Sequence, residues 1–167
     1  MVAAPFDRRA VLAALGALTV TPQVAFAKDY IDLEWTDLIP EGQPVIPPVI
    51  QELIQHNGPS LADQQPPSHG VRTEWNGEIV RLPGFIVPIE YSGTGVTAFI
   101  LVPFVGACVH VPPPPANQLV FVTTQTPYET AGLFEAVNVV GMFGTASMST
   151  QLADIAYALS ADHIEPF

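Results

Sequence analysis

A mainly β fold with one or two short helices follows from three observations. Short apolar runs dominate the chain from Trp75 onward. Glycine and proline punctuate them at strand-like intervals. None alternates with the longer helical patterns that parallel βαβ units require. Five such runs, several of them bent, suggest a small, partly open, five-stranded barrel of the OB (oligonucleotide/oligosaccharide-binding) type. A small β-sandwich is the alternative.

The 167 residues suggest one folded domain. Residues 1–27 read as a leader. Arg8 and Arg9 form a short basic region, Ala10–Val20 is apolar, and Ala25-Phe26-Ala27 has the small-x-small pattern of a signal-peptidase site. The arginine pair gives the leader a twin-arginine character. Its apolar stretch is too short to span a membrane. This predicts export to the periplasm, with no membrane insertion after cleavage. No lipobox cysteine stands at the cleavage site, so the mature chain is expected to be soluble and not lipidated.

Residues 28–70 form an N-terminal docking segment, a short helix and a flexible connection. Trp35–Pro40 (WTDLIP) is the docking segment. Ile46, Val49, Ile50, Leu53 and Ile54 fall at helical spacing behind Pro47-Pro48, which predicts a helix to about His56. Asn57-Gly58-Pro59 stops it. Ser60–Gly70, rich in Pro, Gln and Ser, has little to bury and reads as a loose connection.

Residues 71–167 hold the barrel. Glu78–Glu90 is a strand bent at Pro83-Gly84, with Pro88 demanding an edge or a bulge. Tyr91–Gly95 (YSGTG) is a hairpin turn, because no helix follows its Gly-x-Gly and the charge is wrong for phosphate. Thr97–Val102 is continuously apolar, as in a strand buried on both faces. Gln118–Val122 is the third strand, and Phe134–Phe143, closed by Gly144, is the fourth. Leu152–Ile164 fits a short helical turn followed by a strand from about Ile155 to Ile164. Trp35 and Trp75 read as core anchors.

The chain carries a formal charge of −11. With the leader removed, Lys28, Arg72 and Arg81 are the only basic residues left of five, facing fifteen acidic residues of sixteen. Such a surface repels phosphate, which argues against nucleic-acid partners and favours cationic ones.

Chemistry concentrates in Leu101–Gln118 (LVPFVGACVHVPPPPANQ), which holds the single cysteine, Cys108, and one of four histidines, His110. If this stretch is extended, side chains at i and i+2 share a face. Thiolate and imidazole could then meet one ion at about 2.3 and 2.0 Å. That donor pair suits zinc, with copper second. His163 and Glu165 are candidate completing ligands. Two further readings stand beside this one: a buried structural Cys–His pair, and a nucleophilic or redox Cys108 activated by His110. Pro112, Pro113, Pro114 and Pro115 would form a stiff wall able to receive a partner. Asn117 and Gln118 could hydrogen-bond that donor-poor rod. Arg81 would pair with Glu78 or Glu90, or hold an anionic ligand.

The segments Trp35–Pro40, Arg81–Pro88 (RLPGFIVP), Leu101–Gln118 and Gly132–Gly141 (GLFEAVNVVG), with the closing Ile-Glu-Pro-Phe, resemble an exported bacterial family, domain-of-unknown-function family 3299. The resemblance spans nearly all of the mature chain. It implies an exported accessory protein linked to metal and to a transporter or permease component, and it supplies no catalytic residues. Three functions are therefore expected as alternatives. The first is a metal-linked accessory protein using Cys108 and His110. The second is a docking module using the Pro112–Pro115 face. The third is a Cys108-dependent enzyme.

Overall fold

The computed structural model describes residues 30–43 and 60–167. The expected leader, the helix at Pro47–His56 and His56 itself lie outside the described residues. Six strands form: β1 (Ile31–Asp32), β2 (Ile79–Ser92), β3 (Gly95–Val102), β4 (Val120–Tyr128), β5 (Ala136–Ser149) and β6 (Asp154–Pro166). Among the described residues, helical structure is limited to single 3-10 turns at Trp35–Leu38, Ala62–Gln64 and Ala116–Gln118.

The long strands close in the order β2-β3-β4-β6-β5, with β5 returning to β2. Neighbours are antiparallel except β4 and β6, which run parallel. This is the five-stranded barrel the sequence suggests, closed all the way round rather than partly open. The sandwich alternative falls, because every strand belongs to one sheet.

Closure depends on β2 serving two partners. Ile79–Phe85 pairs with β5 and Phe85–Ser92 pairs with β3. Gly84 sits at the handover, where a Cβ would meet Leu101 Cγ at 2.8 Å and the Val102 carbonyl at 3.0 Å. Only glycine lets the strand bend this closely over β3. Pro88 falls at a register shift between Pro88 and Glu90, where a missing N–H breaks no regular ladder. The parallel β1 covers the free edge of β2 at Val80 and Arg81.

Alternate side chains fill the barrel: Val80, Leu82 and Ile86 from β2, Phe99 and Leu101 from β3, Val120 and Val122 from β4, Val137, Val139 and Phe143 from β5, and Tyr157 and Leu159 from β6. Leu33 and Leu38 join this core from the N-terminal arm, so WTDLIP plugs the barrel. Burying a leucine side chain contributes about 1.5–3 kcal/mol. The buried Tyr157 hydroxyl secures the plug: it donates to the Leu38 carbonyl at 2.9 Å and accepts from the Arg72 amide at 2.7 Å.

All five barrel strands outrun their sequence limits, β4 and β5 the furthest. β4 continues to Tyr128, and β5 passes Gly144 to Ser149 because β6 pairs with it as far as Ser149 and Asp154. The helical turn expected before β6 is a bend instead. Thr150 Oγ1 accepts from the amides of Leu152 at 3.2 Å and Ala153 at 3.0 Å, giving the backbone a local alternative to helix.

Gly141 marks a second tight place, at the register shift between β5 and β6. A Cβ there would stand 2.8 Å from the Ala161 Cα and would run into the Ser160 carbonyl, all backbone. Gly141→Ala is expected to destabilise the fold by about 1–3 kcal/mol or more. Gly144→Ala, whose nearest neighbour would be Asn76 Oδ1 at 3.8 Å, should cost much less. Thermal denaturation of the two variants measures the difference.

Candidate functional site

OB-type barrels take ligands on the outer face of their second and third strands and on adjoining loops. Those strands here are β3 and β4; the chain covers β3 itself and reaches β4 at Phe121, leaving Thr123 and Gln125 exposed. Val87, Ile100, Val102 and Leu119 point outward and form a second buried cluster with Ala107, Cys108, Ala153 and Ile155. The β3–β4 connection, residues 103–119, makes much of the roof. This is why Thr97–Val102 reads as a continuous apolar run: β3 has a barrel core on one side and a covering loop on the other.

The roof is built on a turn, in place of the extended segment expected at Gly106–Val111. Gly106, at φ 95°, reverses the chain. Its carbonyl accepts from the amides of Val109 at 3.3 Å, His110 at 2.8 Å and Val111 at 3.1 Å. Cys108 lies inside this turn at φ 66°, a left-handed conformation that costs a non-glycine residue about 1–2 kcal/mol. Its side chain is 2% exposed among aliphatic neighbours, and burial pushes the thiol up to about 12. His110 is exposed, with its ring 6.0 Å from the Phe134 ring and tilted by 51°. The sulfur thus goes inward and the imidazole outward.

The remaining candidates also take structural places. Pro112, Pro113, Pro114 and Pro115 are buried and do not present an outer wall. Gln65 Nε2 donates to the Pro114 carbonyl at 2.8 Å and to the Asp154 carbonyl at 2.9 Å, while its Oε1 accepts from the Asp154 amide at 2.8 Å. Asn117 Nδ2 donates to the Gly70 carbonyl, and Gln118 Nε2 donates to the Trp35 carbonyl, both at 2.9 Å. The 60–70 connection, expected to be loose, is therefore pinned at Gln65 and Gly70. Arg81 pairs across the sheet with Asp32 at 2.6 Å and lies over Tyr30, so its partner is neither Glu78 nor Glu90. His163 and Glu165 form their own exposed pair at 3.6 Å on β6. Neither belongs to the cluster around Cys108.

A second loop meets the first at Phe134, which adopts φ 62°. Glu135 holds that loop: it accepts from Tyr128 Oη at 3.0 Å, Thr130 Oγ1 at 2.6 Å and the Ala131 amide at 2.7 Å. Burial and the Glu135 carboxylate push the Tyr128 hydroxyl up to about 12. The two loop tips leave Val105 60% and Leu133 48% exposed beside the His110–Phe134 pair. Sequence reasoning missed Gln65, Phe134 and Glu135. The signal for Phe134 was the glycine two residues before it; nothing local marks Gln65.

The family model described as a protein of unknown function, DUF3299, matches residues 35–166. The chain belongs to the DUF3299 family. A crystal structure of a DUF3299 family protein from Pseudomonas aeruginosa PAO1 is similar, with 35% sequence identity and a TM-score of 0.70, covering 83% of this chain and 96% of that one. No curated protein matches this DUF3299 chain.

A zinc or copper site needs a thiolate and an imidazole aimed at one point. The sealed, protonated sulfur and the outward ring of this DUF3299 protein do not supply that arrangement. Among the described residues, no group of three or more His, Cys, Asp or Glu side chains stands close enough to hold an ion. In this arrangement Cys108 faces the apolar cluster and His110 faces solvent, so the two do not converge on one point. A nucleophilic role for Cys108 meets the same obstacle, because thiolate and access are both required.

The thiol supplies a pH prediction. Its folded value, about 12, lies above its ordinary 9.0. A raised folded value means the stability contribution is complete below pH 9 and is lost as pH climbs toward 12. Urea unfolding at stepped pH should show that decline, and Cys108→Ala should remove the part that begins near pH 9. In the folded chain at pH 8, Cys108 should be alkylated by iodoacetamide at least about 100-fold more slowly than in urea.

Proposed function

We propose that this DUF3299 protein is an exported, non-catalytic docking module of the periplasm, whose partner is a membrane transporter or permease component. The observation that carries this reading is the covered outer face of β3, with the cover reaching β4 at Phe121. The β3 part of the usual ligand surface is filled by the chain's own residues 103–119, and the most distinctive motif is spent on building that cover. What the cover offers outward is apolar: Val105 and Leu133 at adjoining loop tips, with the His110 and Phe134 rings beside them. Solvent-exposed apolar side chains brought together by firmly held loops are the ordinary material of a protein contact. The docking surface is thus the tip of the roof, above the buried prolines. The acidity of the chain supports a protein partner with cationic groups and opposes nucleic acid.

The metal-linked reading, zinc first and copper second, requires Cys108 to leave its apolar surroundings before it can ligate. It makes a distinct prediction: binding that Cys108→Ser abolishes.

Site-specific photocrosslinking in the producing bacterium tests the proposal. A photoreactive residue at Val105 or Leu133 is expected to give an adduct with a membrane transport component. The same residue at Met142, 54% exposed on the barrel wall, should not. Equal labelling from all positions, or zinc binding at micromolar affinity that depends on Cys108, would overturn it.

A further inference from the structure

The roof borders an apolar groove of about 150 Å³, lined by Trp35, Pro83, Gly84, Phe85, Pro103, Ala136 and Phe167. It lies where the edge of β2 lacks a neighbouring strand. β1 ends at Asp32, opposite Arg81, and the Leu33 amide still reaches the Arg81 carbonyl at 2.9 Å. Pairing with β3 begins only at Phe85. Between them, Pro83 has no N–H to offer, and its carbonyl is taken by Trp35 Nε1 at 2.7 Å. The usual recognition of an added strand, through main-chain hydrogen bonds, is therefore closed off here. What remains is a recess with apolar walls. Phe167, 82% exposed and tethered by its amide to the Ala136 carbonyl at 2.9 Å, forms one rim.

Next to the lining residues in the chain, acidic side chains outnumber the one cation, Arg81, which Asp32 neutralises. Glu34 and Asp37 flank Trp35 in the chain, and Glu165 lies two residues before Phe167. The arginines of the described residues are committed elsewhere, Arg72 to Glu74 and Arg81 to Asp32. A second copy of this chain would bring the same negative field against it. We propose that the groove receives one aliphatic side chain from a cationic segment of a partner protein, the apolar anchor filling the recess and flanking lysines or arginines facing the acidic surface of this chain. Pro103 lies two residues from Val105, so this inference rests on the docking reading and extends its surface.

The test uses the mature chain, with the Trp35 indole N–H and the Gly84 and Ala136 amides followed by NMR. The probe is an acetylated, amidated Lys-Lys-Leu-Lys-Lys peptide. The expected result is shifts at those three signals that saturate, weaken with added salt, and vanish when the leucine is replaced by glycine or the lysines by glutamates. Phe167→Ala, at a position too exposed to disturb the core, should weaken binding at least tenfold. Ala136→Leu, which fills the recess, should do the same with the remaining spectrum unchanged. No shift at millimolar peptide, equal shifts from the glycine peptide, or unaltered binding by both variants would overturn the groove. Loss of groove binding with Val105 and Leu133 crosslinks intact would remove this inference alone, and the reverse result would remove the docking reading alone.

Discussion

A strand buried on both faces is the constraint from which the rest of this structure follows. β3 presents Phe99 and Leu101 to the barrel interior and Ile100 and Val102 to the outside. Outward aliphatic side chains at the centre of a small barrel need a cover, at roughly 25 cal/mol for each Å² kept from water. The chain supplies it at once, from the connection that leaves β3. Cys108 is a small apolar filler in that cover, and its left-handed backbone is tolerated because the Gly106 turn and the cluster beneath hold it. The four prolines fit the same requirement. They bury surface without amide donors, so the neighbouring side chains need satisfy only carbonyls.

Those neighbours are long-range ties. Gln65, Asn117 and Gln118 each use a side-chain amide to join segments far apart in sequence. Tyr157 does the same from inside the barrel, gripping the arm that carries Leu33 and Leu38. A buried amide or hydroxyl left without its partner costs about 1–3 kcal/mol. The arm, the connection and the roof are consequently coupled: loosening one exposes unsatisfied groups in the others. That coupling gives the loop tips a firm base.

Much of the fold was legible because its signals are local. Pro83-Gly84 announced a bend, YSGTG a hairpin, and the unbroken run at Thr97–Val102 a doubly covered strand. The site was legible only as a place. Alternation along Gly106–Val111 predicted a shared Cys–His face, but one carbonyl accepting three amides closed the segment into a turn and separated the two groups. No sequence rule foresees which glycine will take that role. Arg81 pairs with Asp32 because β1 sets the two opposite each other, and β1, only two residues long, lies beyond the reach of any periodicity. Gln65 sits 49 residues from the proline carbonyl it satisfies, so its importance arises wholly from tertiary contact.

The position of β6 between β4 and β5 bears on how the chain reaches this state. The barrel lacks one wall until residues 154–166 emerge from the ribosome. A nascent chain stopped earlier would carry two long strands with unsatisfied edges, open to pairing with other polypeptides. Parallel pairing of β4 with β6 also joins segments distant in sequence, a slow step in chain collapse. Closure of the barrel thus waits for β6 to pair, and the interval before that pairing is when chaperones would matter most.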